Sequence, residues 1–165
     1  MIREITFEEI YPIWERLWPG RDRIKPVTTM IDHRNYDMDI YNKADNKEGL
    51  YAGVFWGIFT DDTNELVAVN SGHQTSDTHF RSRGLYVKPG YAGKGLAQVL
   101  LTQTINCARE NNFSVCWSIP RKTAYKTYRS AGFTIHEEEE YEGDRWVKCG
   151  VMQKGLNSYA TIKLK

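Results

Sequence analysis

"PGYAGKGLA", Pro89 to Ala97, is the stretch of this chain whose residue types and spacing point most directly to chemistry. It lies between a run that reads as a strand and a run that reads as a helix. A loop in that position presents the free N–H groups of a helix start and the positive end of its dipole, so anions bind there. Gly93 and Gly95 carry no Cβ to hold a pyrophosphate off the backbone, and Lys94 adds a cation between them. The same two glycines would serve equally well in a tight connection with no ligand. Two nucleotide motifs fail on context. A P-loop needs Ser or Thr after its Lys, whereas Lys94 is followed by Gly95. A Rossmann fingerprint needs a third glycine and an acid at the end of the next strand, where the chain has Ser114, Val115 and Cys116.

Composition narrows the choice further. The chain has 165 residues, the length of one domain, and 1–165 is read as a single unit. Its 22 Lys and Arg against 21 Asp and Glu give a net charge of +1, with no basic stripe, so neither nucleic acid nor an anionic membrane is an expected partner. The longest nearly apolar run, "LYAGVFWGIF", is far shorter than the ~20 residues of a membrane span. Cys107, Cys116 and Cys149 form no CxxC and have no nearby His pair, so no metal is expected and the thiols suit a reducing, cytoplasmic setting.

The elements that must position the loop follow from pattern. "IREI" is a short strand; Thr6 and Glu9 make a capping box for a helix with Ile10, Ile13, Trp14 and Leu17 on one face, stopped by Pro19 and Gly20. Residues 21–47 suggest only short helices among loops. "LYAGVFWGIF" reads as a strand buried on both faces. "ELVAVNSGH" and "HFRSRGLYV" read as a hairpin turning near Asp77, with Val69 facing Leu85, Val67 facing Val87 and Ala68 facing Tyr86. After the glycine loop, a helix carries Ala97, Leu100, Leu101, Thr104, Ile105 and Ala108 on one side, with Asn111 and Asn112 as left-handed C-cap residues. "SVCWSI" is the next strand. A short helix from Thr123 has Ala124, Thr127, Tyr128 and Ala131 on one face and closes at Gly132. "FTIHEEEEYE" and "RWVKCGVM" make a final hairpin, with Cys149 buried. The fold class is therefore α+β, or mixed α/β.

Two of these segments, taken in order, carry a resemblance. "GLYVKPGYAGKGLAQVLL" resembles the acyl-CoA-binding core of the GNAT N-acetyltransferase superfamily, and "AYKTYRSAGF" resembles that family's later segment ending in Tyr, three residues, Gly and Phe. The resemblance implies a central, twisted, mostly antiparallel sheet of six or seven strands with helices on both faces. It implies that acetyl-CoA is the acyl donor, with its pantetheine arm along the backbone of Leu85, Tyr86 and Val87. Its pyrophosphate would lie in the loop of Ala92, Gly93, Lys94, Gly95, Leu96 and Ala97. The chain departs from the family pattern at Ala92, where Arg or Gln is usual, and at Arg121, where many relatives have Asn.

Moving an acetyl group from a thioester to an amine requires a neutral amine, donors for the developing oxyanion and a proton for the departing thiolate. Tyr128 can supply that proton, since a phenol of pKa about 10 is protonated at neutral pH. The resemblance makes it the general acid; its place on an apolar face is equally that of a core tyrosine. For the base, His73, Asp77 and His79 lie in or near the hairpin and Glu65 further away; His73 is chosen because histidine titrates near neutral pH, although a water chain or an amine that arrives neutral would remove the need for a base. An exposed hairpin histidine without a role fits the same position. The tryptophans Trp14, Trp18, Trp56, Trp117 and Trp146 read as core, the run Glu137 to Glu140 as a solvated hairpin face, and Arg21, Arg23 and Lys25 as loop residues. The expected function is an acetyl-CoA-dependent N-acyltransferase acting on a small-molecule amine or a protein amino group, as a monomer or homodimer. The alternative is a non-catalytic acyl-CoA-binding module of the same fold.

Overall fold

The computed structural model describes residues 1–17, 53–74, 78–136 and 159–165. The expected features at Trp18, Pro19, Gly20, residues 21–47, Asp77, the Glu137 to Glu140 run, Trp146 and Cys149 lie outside them.

Strand β1 (Ile2–Ile5) leads into helix α1 (Phe7–Leu17) through the capping box read from the sequence. The Thr6 N–H donates to Glu9 Oε2 at 2.8 Å, and the Glu9 N–H donates to Thr6 Oγ1 at 3.2 Å. Two N–H groups that no helical turn can satisfy are thereby paired. Ile10, Ile13 and Trp14 form the buried stripe of α1, while Leu17 is exposed.

Strand β2 (Val54–Phe59) is buried on both faces, and its alternation sorts the core into two layers. Phe55 packs with Ile10, Ile13 and Trp14 on the α1 side. Trp56 and Ile58 face the other way, toward Leu100 of helix α2 (Leu96–Glu110). Strands β3 (Leu66–Gln74), β4 (His79–Val87), β5 (Val115–Ser118), β6 (Thr134–His136) and β7 (Tyr159–Lys163) complete a seven-stranded sheet in the order β1-β2-β3-β4-β5-β7-β6. Only the β4–β5 pair is parallel. A 3-10 turn (Lys122–Ala124) and helix α3 (Tyr125–Ser130) join β5 to β6. The architecture is mixed α/β with helices on both faces of a mostly antiparallel sheet, as expected.

Two local expectations are corrected. In the β3–β4 hairpin the register read from the sequence holds toward the turn, where Ser71 pairs with Arg83 and His73 with Arg81. It slips by one beyond Val69, so that Val69 faces Tyr86 and Ala68 faces Val87. The extra residue is on β4, at Gly84 with φ +80, a left-handed conformation that favours glycine. Strand β6 pairs with β7, a strand the sequence reading did not include, while its expected hairpin partner "RWVKCGVM" lies outside the described residues. At the end of α2, Asn112 is left-handed (φ 65), whereas Asn111 is not (φ −95).

Candidate active site

The site is built where β4 and β5 part. Their ladder runs from His79–Val115 to Arg81–Trp117 and stops. The next two residues, Ser82 and Ser118, are joined instead by the Ser118 hydroxyl, which donates to the Ser82 carbonyl at 2.9 Å. Beyond this fork, the edge of β4 that turns toward β5 has no strand partner among the described residues. Leu85, Tyr86 and Val87 are half-buried there, in the stretch where the bulge at Gly84 has re-aimed the strand.

The bulge is held from the α1 side. Trp14 donates its indole N–H to the Gly84 carbonyl at 3.0 Å. A Cβ on Gly84 would lie 2.4 Å from Trp14 Cζ2, so the ring occupies the space that glycine leaves open. Nothing in the sequence ties Trp14 to Gly84, and the sequence reading found no role for either residue.

At the mouth of the fork, β4 runs through Lys88 to the glycine loop. Lys88 pairs with Glu65, which places Glu65 at the base of that loop in a surface ion pair. Gly93 and Gly95 have φ of +76 and +78, and a Cβ on either would meet nothing within 4 Å. Gly95 is the N-cap of α2, with no side-chain cap and no acidic residue in the first turn. An open, left-handed backbone at an uncapped helix start is the geometry a pyrophosphate needs. Ala92, Gly93, Lys94 and Gly95 are exposed, Leu96 and Ala97 half-buried, and the Lys94 ammonium lies 5.2 Å from the Tyr91 ring centroid. Gln98, in the first turn of α2, donates to the Ser130 carbonyl at 3.0 Å and so ties the loop's helix to α3.

Helix α3 carries Tyr128, which is 4% exposed and packs edge-on against Phe133, with centroids 5.2 Å apart. Its hydroxyl is 3.2 Å from Ser118 Oγ, directly at the fork. Burial raises the phenol's pKa, the Ser118 and Ser82 hydroxyls pull it down, and the net shift is upward. The phenol is therefore protonated at neutral pH.

His73 is elsewhere. A Cβ on its neighbour Gly72 would meet Phe80 and Thr104 of the α2 layer, so by strand alternation His73 points to the opposite face of the sheet from Tyr128. The side chain is fully buried, and neither ring nitrogen has a hydrogen-bond partner among the described residues. Burial, then the charges of Arg83 and Arg81, hold its pKa well below the ordinary value. The expectation of a histidine titrating near neutral pH is corrected on this ground, as is that of an exposed one. His79 is half-buried, and its Nδ1 lies 2.7 Å from Thr78 Oγ1. Among the described residues no three His, Cys, Asp or Glu side chains gather as a metal site would require.

The structure has the fold of several solved acetyltransferases. An acetyltransferase of the GNAT family from Staphylococcus aureus Mu50 aligns with a TM-score of 0.63 at 15% identity, over 100% of this chain and 99% of that one. An aminoglycoside 6'-N-acetyltransferase complexed with coenzyme A aligns with a TM-score of 0.63 at 11% identity, over 100% and 97%. The N-acetylglutamate synthase of Neisseria gonorrhoeae, complexed with coenzyme A and N-acetyl-glutamate, aligns at 0.60 and 15% identity, over 100% of this chain and 35% of that one. No curated protein matches the sequence. Residues 7–133, which run from the first turn of α1 through the glycine loop and Tyr128 to Phe133, match the Acetyltransferase (GNAT) family, and the chain belongs to that family.

Proposed function

We propose that the protein is an N-acetyltransferase that moves the acetyl group of acetyl-CoA directly to a primary amine. The observation that carries this is a single arrangement. The protonated hydroxyl of Tyr128 stands at the fork of β4 and β5, in the same sheet end that opens onto the glycine loop of α2. Acetyl-CoA, when bound, would supply the thioester and leave as CoA. Gly93, Gly95 and the first N–H groups of α2 would hold its pyrophosphate, with Lys94 beside them and the unpaired edge at Leu85, Tyr86 and Val87 available to the pantetheine amides. An amine acceptor is supported by two proteins of the same fold, whose names specify an aminoglycoside N-acetyltransferase and an N-acetylglutamate synthase.

In the transfer, the amine nitrogen bonds to the carbonyl carbon, the carbon–sulfur bond breaks, and Tyr128 gives its proton to the thiolate sulfur. Buried and protonated, Tyr128 is a suitable donor to a thiolate whose conjugate acid has a pKa of about 8.5. The proton that the amine nitrogen gives up passes through solvent and restores the Tyr128 phenol; His73, buried on the opposite face of the sheet with its pKa held down, is not placed to receive it.

The test is Tyr128→Phe. The ring still packs against Phe133, so folding and CoA affinity should hold while kcat falls by about 100- to 10,000-fold, the usual worth of general acid catalysis. Acetyl-CoA hydrolysis serves as the assay until an acceptor is identified. Equal rates in the variant and the parent, with chemistry limiting, would remove Tyr128 from the mechanism and leave a core tyrosine.

A further inference from the structure

The hydroxyls around Tyr128 have only so many hydrogens, and counting them fixes their directions. Thr104 donates to the Leu100 carbonyl at 2.9 Å, so its oxygen can only accept from Asn70 Nδ2, which lies 2.9 Å away. Asn70 Nδ2 also donates to Ser82 Oγ at 2.9 Å, which leaves the hydrogen of Ser82 available to another acceptor. Ser118 spends its single hydrogen on the Ser82 carbonyl. The contact at 3.2 Å between Ser118 and Tyr128 must then be donated by Tyr128. In the resting protein, the Tyr128 proton points into β5. Asn70, Ser82, Thr104 and Ser118 are all buried, so water does not substitute for these partners.

We infer that Ser118 is the positioning residue for the acid: it parks the Tyr128 proton at rest and turns its own hydrogen onto the phenolate once that proton has gone to the thiolate. This rests on the assignment of Tyr128 as proton donor. The Tyr128 O–H bond breaks and the S–H bond of CoA forms, leaving a phenolate. The Ser118 hydrogen swings from the Ser82 carbonyl to the phenolate oxygen without leaving Ser118. Ser82, held from behind by Asn70, offers a second hydroxyl. The proton lost by the amine nitrogen as it becomes an amide restores the phenol, so the overall transfer is neutral. Both serines favour the ionised phenol, which agrees with such a cradle. Without it, a buried phenolate would be left unpaired in a low-dielectric site, which is costly.

The experiment compares Ser118→Ala, Ser118→Thr and Tyr128→Phe, singly and as Ser118→Ala with Tyr128→Phe, by acetyl-CoA hydrolysis. A hydrogen bond to a charged group predicts a loss in kcat of about ten- to a hundredfold for Ser118→Ala, with KM for acetyl-CoA unchanged. The CoA-induced rise in melting temperature should survive, Ser118→Thr should restore most of the rate, and Ser118→Ala should cost nothing further once Tyr128 is Phe. If Tyr128→Phe is slow but Ser118→Ala keeps the parent rate, the inference fails and the acid assignment stands. An equal loss from Ser118→Ala with and without the Tyr128 hydroxyl would also overturn it, since Ser118 would then act on something else. A silent Tyr128→Phe removes the acid assignment and this inference with it.

Discussion

His73 is buried with both ring nitrogens unpartnered among the described residues and its pKa pushed down, and that combination makes it a pH sensor of stability. The ordinary histidine value is about 6.5, and the folded value lies well below it. Between the two, the unfolded chain holds a proton that the folded chain refuses, so stability falls as pH drops through this window. The loss is at most about 1.4 kcal/mol per pH unit, and it stops below the folded value. Above pH 6.5 both states are neutral at this residue and it adds no slope. His73→Met removes the titration and two buried polar atoms without partners. The variant is therefore expected to match or exceed the parent's stability at pH 7, and to lose less of it by pH 5.5, in urea unfolding at both values. Parallel losses in parent and variant would place the proton uptake elsewhere. The two cysteines on the described residues behave differently from His73, because burial raises a thiol's pKa. That of Cys107 is pushed up to about 11 and that of Cys116 further still, so neither should react quickly with thiol reagents at neutral pH in the folded protein.

Helix α1 and strand β4 are coupled through one side chain, and the coupling is measurable. Gly84→Ala places a Cβ against the Trp14 ring at a residue with positive φ, so overpacking and backbone strain act together. The expected cost is about 2 to 5 kcal/mol, with weakened acetyl-CoA binding as the bulge shifts. In a Trp14→Leu background the clash is gone, and Gly84→Ala should cost only its backbone strain, about 1 to 2 kcal/mol. Strictly additive losses in the four proteins of that cycle would separate the bulge from the helix. This contact also shows what the sequence conceals. The capping box at Thr6 and Glu9, the buried stripes of α1 and α2 and the glycine loop were legible because each is written within a few neighbouring residues. The bulge was not, because it depends on a ring 70 positions away, and regular alternation gave a consistent register without it. The β6–β7 pair was hidden for a related reason: "YATIK" is short and bears little local pattern, and its partner is chosen by the sheet. Tyr128 was legible as a residue, whereas its two serine neighbours come from strands that meet only in the fold.

At the scale of the whole molecule, the assignment stands or falls on whether the open loop binds a diphosphate. A ligand that binds only the folded state stabilises it by mass action, about 2.7 kcal/mol at a concentration of 100 Kd. For a domain of this size that corresponds to a rise in Tm of about 5 to 10 °C on adding CoA. Gly93→Leu and Gly95→Leu should each lower the unliganded Tm through backbone strain of about 1 to 2 kcal/mol, because the space around both Cβ positions is open and no clash adds to it. Both should also lose the CoA shift, since the new side chain fills the room meant for the phosphates. Gly90→Leu is the control. Gly90 has φ +93 and equally open surroundings but lies outside the proposed cradle, so its variant should carry the same strain and keep the full shift. Pantetheine, which has no diphosphate, should raise the Tm of the parent much less than CoA does. The diphosphate is thus separated from the arm that runs along β4. If Gly90→Leu loses the shift along with the other two, strain alone explains the loss and the loop is only a connection. If the parent shows no shift at millimolar CoA, the cradle does not bind the donor and the transferase assignment fails with it.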